Sequence, residues 1–346
     1  MSWMNDPTDR HGALVLPSVE DYLGDAQTRF FGAGYRAVDH RFTDVHSADG
    51  DGGPLMIASA AVEYPRDWSR KGSTDQRPHL STIDVLVLGV RLAELWMARN
   101  VGLSDDALRS SWIRDVQMRA GRAAVEDELE AVPVVLWRSE VARSPSGSGR
   151  SVSTLECTVS TLTLRLELDH PTAPSALAVP VADPISGVNG RVVGAAYRAR
   201  APQVTDVRIP ADRLTADAHV RLEPWDGLSA PGHGFEAVFQ PSIGLIDAFV
   251  VVLQLGQILL YELDGLTRTE SHTLWMRSTR WQASTPATPG DEAHRATVEL
   301  REAQLLRNRE NEMWRRADIV ATLGRIAITC SVAHQLPTHA APSAAL

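Results

Sequence analysis

Cysteine and lysine are nearly missing from this chain of 346 residues. Its two cysteines, Cys157 and Cys330, each lie in an apolar, β-like run, so they supply neither a disulfide framework nor a zinc cluster. We expect two buried thiols and no metal. Lys71 is the only lysine, and arginine therefore carries nearly all of the fixed positive charge. With a net charge of −9, nothing in the chain is basic enough to track nucleic acid.

The sequence also lacks the patterns that direct a chain into a membrane. Its first residues, MSWMNDPTDRHG, are polar and acidic, whereas a secretory signal has a basic start and an apolar core, so we expect a cytoplasmic protein. Two long apolar stretches are interrupted by polar side chains, Arg91 and Glu94 in one and Gln254 and Gln257 in the other. Both fall short of the roughly 20 uncharged residues that a bilayer needs. This pattern favours helices buried on all sides in a protein core and no membrane contact.

The two apolar stretches follow one plan. Residues 78–103 align without a gap with residues 241–266, at an offset of 163 residues: PHLSTIDVLVLGVRLAELWMARNVGL matches PSIGLIDAFVVVLQLGQILLYELDGL. Upstream, GAGYRAVDHRFTDV at 32–45 matches GAAYRARAPQVTDV at 194–207, at an offset of 162 residues. Solenoid repeats are only roughly 20–50 residues long. The spacing predicts a tandem duplication, with an N-terminal domain at 1–170, a linker at 171–187, a C-terminal domain at 188–336 and a disordered tail at 337–346.

Each half has the same order of predicted elements: two strands, a long apolar helix, and three or four more strands. The helices are predicted near Thr82–Asn100 and Ile243–Leu263, and the first has a capping signal at Ser81 and Asp84 and a stop at Gly102. A helix that is apolar on all sides needs a sheet that curls around it, because a flat sheet covers only one side. The sequence therefore predicts an α+β fold, a tandem (double) hot-dog with one curled antiparallel sheet around each long helix.

The N-terminal ends of the two helices are the predicted reaction sites, because first-turn N–H groups and the helix dipole favour a polarised carbonyl oxygen. Asp84 and Asp247 occupy the same position in both helices. Each aspartate either caps its helix or faces an apolar tunnel, where burial would raise its pKa and make it a general acid or base. His79, matched by Ser242, and His233 are further catalytic candidates, with a structural role open for both.

Lys71 lies in a polar, donor-rich segment just ahead of the first helix, PRDWSRKGSTDQR. It is either the one lysine that mutational bias left, or a group that forms a Schiff base or binds phosphate. Arg70 and Arg77 beside it suit an anionic sugar or a pantetheine phosphate. Tyr35, repeated as Tyr197, is predicted to begin a strand and to pack in the core, with a contact to substrate as the alternative.

Three segments resemble the avirulence protein D family of plant-pathogenic and soil bacteria: RFFGAGYR at 29–36, YPRDW at 64–68 and RPHLSTIDVLVLG at 77–89. The resemblance is strongest over residues 18–120. It implies a double hot-dog enzyme of secondary metabolism that makes syringolide- or butenolide-type acyl products. The implied substrates are a β-ketoacyl thioester and a ketose such as xylulose or its phosphate, joined by ester transfer and an aldol-type closure. The thioester would arrive on CoA or an acyl carrier protein, with no other cofactor, and a homodimer is one expected assembly.

In this implied reaction a sugar hydroxyl attacks the thioester carbonyl, with His79 or an aspartate as base and helix N–H groups holding the oxyanion. Lys71→Ala and Asp84→Asn are then expected to lower turnover about tenfold or more without changing the melting temperature.

Two other functions are open from the sequence. PHLSTID is similar to the H-P-x-x-x-D helix start of polyketide dehydratase domains, although here the histidine follows the proline. This favours a hot-dog dehydratase or thioesterase that acts on the acyl thioester alone, through His233 with Asp84 or His79 with Asp247. The other alternative is a non-catalytic, ligand-binding double hot-dog protein.

Overall fold

The structure, a computed structural model, describes residues 8–9, 11–48, 52–66, 68–71, 74–172, 191–193, 196–223 and 232–338. Most of the predicted linker and tail, at 173–187 and 339–346, lies outside the described residues. The α-helices are α1 Glu20–Leu23, α2 Thr82–Trp96, α3 Asp105–Arg109 and α4 Leu245–Asp264. Short 3-10 turns occur at Ala26–Thr28, Gly34–Ala37, Leu129–Ala131, Ala196–Ala199 and Ala237–Phe239.

Fifteen strands are described. They are β1 Leu14–Ser18, β2 Asp39–Ser47, β3 Met56–Glu63, β4 Arg70–Lys71, β5 Thr74–Asp75, β6 Trp112–Arg119, β7 Val132–Arg143, β8 Arg150–Val159, β9 Leu162–Pro171, β10 Pro202–Ile209, β11 Thr215–Leu222, β12 Trp275–Ala283, β13 His294–Arg307, β14 Met313–Leu323 and β15 Ile326–Gln335. β4 and β5 form a two-stranded hairpin, and the other thirteen form one antiparallel sheet.

The strand order of the large sheet is symmetrical about its centre. It runs β1-β10-β11-β13-β14-β15-β12-β6-β9-β8-β7-β3-β2, so the strands on the two sides of the β12–β6 pair follow each other in the same sequence, with β1 added at one edge. At the centre, Gln117 pairs with Arg280, two positions that are 163 residues apart. The offset found in the sequence therefore coincides with the middle of the sheet. The domain boundaries themselves stay a prediction.

Two long helices lie against this sheet on its apolar face. α2 packs on β2, β3, β7, β8 and β9, and α4 packs on β10, β11, β13, β14 and β15. Every residue of α2 from Ile83 to Leu95 is buried, which a flat sheet on one side would not achieve. Apolar side chains at consecutive positions, rather than on one stripe, are the reason that each helix is enclosed. The predicted helices in a curled antiparallel sheet are confirmed, and the arrangement is hot-dog-like.

Several boundaries differ from the prediction. α2 ends as an α-helix at Trp96 and continues as a π-helical turn, Met97–Val101, before Gly102 closes it in the left-handed region at φ 78°. Tyr35 lies in a 3-10 turn ahead of β2, not at the start of the strand. β1, in the predicted N-terminal domain, pairs with β10 in the predicted C-terminal domain. The edge of the sheet is thus covered by a strand from the other half.

One helix, α4, is long and apolar enough to cross a membrane by length and composition, and 89% of its most apolar window is buried inside the protein. This burial is what a core helix requires.

Candidate functional site

A capping box closes the N-terminal end of α2, as the sequence predicted. Asp84 N donates to Ser81 Oγ at 3.2 Å, and Ser81 N donates to Asp84 Oδ2 at 2.7 Å. His40 Nε2 lies 2.7 Å from Asp84 Oδ1, and the Tyr64 hydroxyl donates to Asp84 Oδ2. Asp84 is therefore surrounded by donors and fully buried.

These donors decide the charge of Asp84. Burial alone would raise the pKa of this carboxyl, but the hydrogen bond and charge of His40, followed by the hydrogen bonds from Ser81 and Tyr64, hold the pKa below its ordinary value. Of the two alternatives for Asp84, the capping role describes its placement, because the side chain meets donors and not an apolar tunnel. Asp84 stays ionised at neutral pH, and it does not line the cavity described next.

A cavity of about 1020 Å³ opens beside this end of α2. Its walls come from both halves of the chain: Ser81 and Thr82 at the start of α2, Gln257 and Tyr261 on α4, and the first residues of β12. Part of the lining is apolar, namely Leu80, Leu162, Leu253, Leu274 and Val332. The cavity thus joins an apolar space to the positive end of a helix dipole.

His79 lines the cavity, half-buried between two tryptophans. Its ring centroid lies 5.5 Å from that of Trp68 and 5.3 Å from that of Trp275, one from each half of the chain. His79 Nδ1 lies 3.3 Å from the Arg77 carbonyl oxygen. Because a carbonyl only accepts, Nδ1 carries the hydrogen in this bond, and in the neutral ring the lone pair is then on Nε2. The ring is therefore held in the tautomer that suits a base at Nε2.

Positive charge dominates the lining. Seven lining residues carry a fixed positive charge, and among the described residues that line the cavity none carries a carboxylate. The cations are Arg29, Lys71, Arg122, Arg268, Arg277, Arg307 and Arg316. In a chain of net charge −9, this separation of charge creates a local positive field that attracts anions.

Lys71 connects the β4–β5 hairpin to the segment after α4. Its Nζ donates to the Ser271 carbonyl at 2.8 Å, the His272 carbonyl at 2.7 Å and the Ser271 hydroxyl at 3.2 Å. Burial, and then the charge of Arg268, lowers the pKa of Lys71 to about 8. Lys71 therefore lies where the sequence placed a functional cation, with its three donors directed to oxygen acceptors.

The N-terminal end of α4 is built differently. Asp247 accepts from Arg200 Nη2 at 3.0 Å and from Gly244 N at 2.9 Å. The space there is only about 20 Å³, enough for about one water molecule. The two helix ends are thus unequal, since one opens into a large cavity and the other is filled.

Segments around Glu94 fill the space near the α4 end. Glu94 accepts from Arg191 Nη1 at 2.7 Å and from Phe235 N at 2.8 Å, and all three residues are buried. Glu236 in turn accepts from Ile113 N at 3.1 Å. These contacts occupy the space that a ligand would need.

Four other predicted site residues lie away from the large cavity. His233 is exposed and pairs with Asp105, at the start of α3, at 3.3 Å, so the structure does not unite it with Asp84. Arg70 pairs with Asp75 at 2.7 Å, and Arg77 pairs with Glu126 and Asp127, each at 2.7 Å, on the surface. Tyr35 is buried and stacks on Tyr197, with ring centroids 6.1 Å apart. The packing alternative describes the placement of Tyr35, and the contact of Arg70 and Arg77 with substrate has no support here.

The structure adds four residues that the sequence did not single out as site residues. Arg29 and Arg268 bring charge to the cavity wall, and Gln257 and Tyr261 face it from α4. A signal for Gln257 was present, because a polar side chain inside an otherwise apolar helix needs a partner or a solvent-filled space. Arg29 lies within the segment RFFGAGYR, where its position gave no indication of burial.

The fold and the site define a hot-dog-like protein with one large, cation-lined cavity at a helix N-terminus. The family model described as Pseudomonas avirulence D protein (AvrD) matches residues 14–337. The chain therefore belongs to the AvrD family.

Among solved structures, the tesB protein of Mycobacterium avium subs paratuberculosis is similar at 9% identity over 84% of this chain and 96% of that chain, with a TM-score of 0.38. A MaoC-like dehydratase is similar at 11% identity over 78% of this chain and 88% of that chain, with a TM-score of 0.35. The pyran synthase domain from module nine of the sorangicin pathway has 14% identity over 86% of this chain and 99% of that chain, with a TM-score of 0.31. No curated protein sequence matches the chain.

Proposed function

We propose that the protein is an acyltransferase that condenses a β-ketoacyl thioester with a ketose such as xylulose. The product would be a syringolide- or butenolide-type acyl compound, formed by ester transfer and an aldol-type closure. One observation carries the proposal: His79, whose Nδ1 faces the Arg77 carbonyl, lines a cavity of about 1020 Å³ that has both apolar and cationic walls. An acyl chain suits the first wall and a polar or anionic co-substrate the second.

The ester transfer follows from this geometry. The acyl chain would pack on Leu162, Leu253 and Val332, with the thioester carbonyl oxygen at the first-turn N–H groups of α2 that precede Asp84, since the capping box uses the N–H of Asp84 itself. His79 Nε2 would take the proton of a sugar hydroxyl as its oxygen bonds to the carbonyl carbon. The oxyanion then collapses, the carbon–sulfur bond breaks, and the thiolate leaves with the proton from His79. The product is an ester and a free thiol.

Ring closure uses the acidity that the β-keto group confers. The carbon between the two carbonyls loses a proton and adds to the ketone of the bound sugar, and loss of water then gives the unsaturated lactone. His79 is the group placed to move these protons. The reaction requires the thioester on CoA or an acyl carrier protein and no other cofactor. We also propose that the two halves, 1–170 and 188–336, are tandem hot-dog units, with this one site between them.

Product analysis tests the function. The purified protein is incubated with a synthetic β-ketoacyl pantetheine thioester, with and without xylulose, and the mixture is analysed by mass spectrometry. We expect an ester adduct, and its dehydrated lactone, only when the sugar is present. Free acid at the same rate without sugar would instead identify a thioesterase, and water loss from a 3-hydroxyacyl thioester a dehydratase. Retention of the thioester with no turnover in any mixture would identify a binding protein and contradict the proposal.

A further inference from the structure

Three of the cavity cations lie together and more deeply than the others. Arg29, Lys71 and Arg268, here called the inner cluster, come from the segment before β2, from β4 and from the segment after α4. Arg268 lies between the other two, since it donates to the carbonyls of Thr28 and Arg70, and burial, then the charge of Arg268, lowers the pKa of both Lys71 and Arg29. The three segments are far apart in sequence, and the fold brings their charges to one wall.

The inner cluster is held in place by uncharged oxygen atoms. Arg29 Nη1 donates to Gln254 Oε1 at 2.7 Å. Arg268 Nη2 donates to the Arg70 carbonyl at 2.5 Å and to the Thr28 carbonyl at 3.2 Å. Lys71 likewise donates to backbone carbonyls at 2.7 and 2.8 Å. These acceptors orient the cations without neutralising them, which is the preorganisation that a charged ligand requires.

The charge of the inner cluster is only partly compensated, because the carboxylates that act on it are those of Glu20 and Asp25, near Arg29. Within the described residues, its one ion pair joins Arg29 to Glu20 at 3.9 Å, and the Glu20 side chain is 53% exposed. The Arg29 side chain is buried, and this burial lowers its pKa to about 10.

Four of the other buried arginines have carboxylate partners at 2.6–3.2 Å, namely Arg191, Arg200, Arg315 and Arg325, whereas buried Arg91 donates to the His40 carbonyl. Arg315 pairs with Asp264 at 2.6 Å, and Arg325 pairs with Glu236 at 3.2 Å. The inner cluster departs from the pattern of these four arginines, because among the described residues its three cations have one ion pair, with the half-exposed Glu20. An anion of one or two negative charges would offset this excess of positive charge.

We propose that the inner cluster is the binding site for a phosphate monoester inside the reaction cavity. The two guanidinium groups offer planar, paired donors to phosphate oxygens, and Lys71 adds a point charge. The phosphate has two sources within the proposed reaction, and on this point the inference rests on the proposed function. It belongs either to the ketose, which then enters as its phosphate, or to the pantetheine arm that carries the acyl group.

Calorimetric titration of the full chain tests the site without any turnover. Inorganic phosphate and xylulose 5-phosphate are titrated against the wild type, Arg268→Gln and Lys71→Met at constant ionic strength, with circular dichroism as the check on folding. We expect each substitution to weaken binding about tenfold or more, because a charge-assisted hydrogen bond or a facing charge is lost. The matched control is Arg122→Gln, which removes the same charge from the exposed rim of the cavity and should leave affinity within about twofold.

The source of the phosphate is decided by paired ligands. Xylulose 5-phosphate is compared with xylulose, and 4′-phosphopantetheine with pantetheine, in the wild type and in Lys71→Met. The pair whose difference disappears in the variant identifies the source. The proposal is overturned if no phosphate-containing ligand binds, or if both inner-cluster variants bind as tightly as the rim control. Binding that depends on the inner cluster, with no ester formed in the product assay, would keep the site and reject the acyl transfer.

Discussion

Glu94 and Gln257 occupy corresponding turns of α2 and α4, ten residues after Asp84 and Asp247, yet their surroundings are opposite. Glu94 is buried and accepts from Arg191 and the backbone of Phe235. Gln257 lines the large cavity. Glu94, on α2, therefore lies near the filled N-terminal end of α4, whereas Gln257, on α4, lines the open cavity at the start of α2. The proposed reaction is at this open end.

The exchange Gln257→Glu should impair the open site. A carboxylate introduced into a wall of arginines would form ion pairs there and cancel part of the field that attracts an anion. We expect affinity for phosphate, measured by calorimetry, to fall about tenfold, with the ester-forming rate falling in parallel. Unchanged phosphate affinity would mean that Gln257 is remote from the bound anion.

The reciprocal change, Glu94→Gln, serves as the control at the filled end. It removes the buried charge that faces Arg191, so we expect a loss of roughly 3 kcal/mol in the free energy of unfolding. Turnover per folded molecule should stay the same, because the filled end binds no substrate. Denaturant unfolding together with the product assay separates the two effects, and a large loss of turnover in folded Glu94→Gln would contradict this assignment.

His79→Ala is expected to lower the ester-forming rate about 100-fold or more, since general-base catalysis contributes roughly that factor. The protein should lose only about 1 kcal/mol of stability, from the ring contacts with Trp68 and Trp275. His233→Ala is the matched control: this histidine is exposed, and its loss should change neither rate nor melting temperature. Equal rates in both variants would return His79 to a packing role.

Much of the fold could be predicted because it depends on local patterns. Continuous apolar runs with a capping signal at Ser81 and a glycine at 102 specify α2, and alternating runs specify the strands. The antiparallel strand added by β1 to β10 could not be predicted, since a five-residue strand carries no mark of its partner. Pairing between distant strands is fixed by the whole sheet rather than by either strand alone.

The candidate site was predictable only in part, for a reason of geometry. Arg70 and Arg77 were chosen as neighbours of Lys71 in sequence, but adjacent strand residues point to opposite sides, and Arg70 pairs with Asp75 on the surface. The true neighbours of Lys71 in the cavity, Arg29 and Arg268, come from segments that only the folded chain brings together. Lys71 and His79 therefore line the cavity, whereas Arg70 and Arg77 do not.

Asp84→Asn should affect stability, contrary to the expectation from the sequence. Its carboxylate accepts hydrogen bonds from Ser81 N, His40 and Tyr64. The NH2 group of an asparagine side chain cannot accept a hydrogen bond, so at least one of these three bonds would be lost. We expect a loss of roughly 1–3 kcal/mol in the free energy of unfolding. The exposed carboxylate of Asp75 provides the control, since Asp75→Asn should change stability by less than about 0.5 kcal/mol. Equal stabilities would contradict the buried network.

The lowered pKa of Asp84 predicts how the stability of the protein depends on pH in the acid range. The pKa of Asp84 is held below its ordinary value of 3.8, so its stabilising effect is complete above that pH and is lost as the pH falls through the lower, folded pKa. In acid titrations of stability, wild type and Asp84→Asn should converge only below about pH 4. Convergence at neutral pH would show that Asp84 is protonated in the folded protein.

Because of Lys71, the stability of the free protein and its affinity for phosphate should change in opposite directions with pH. Its pKa falls from 10.5 to about 8 on folding, so between these values the unfolded chain binds a proton that the folded chain does not. The stability of the wild type relative to Lys71→Met should therefore rise as the pH increases from about 8. Phosphate affinity should fall over the same interval, because the anion requires the charged lysine.

The other groups that face Lys71 do not account for a fall in phosphate affinity as the pH rises above about 8. Arg29 and Arg268 carry guanidinium groups, Ser271 and His272 contribute carbonyls, and burial raises the pKa of the nearby Tyr261. A phosphate monoester, with its second pKa near 6, is already a dianion above pH 7. Calorimetry at about pH 7.5 and 9 with wild type and Lys71→Met measures the effect. A pH-dependent affinity that persists in Lys71→Met would assign it to another group and contradict the role of Lys71 in the inner cluster.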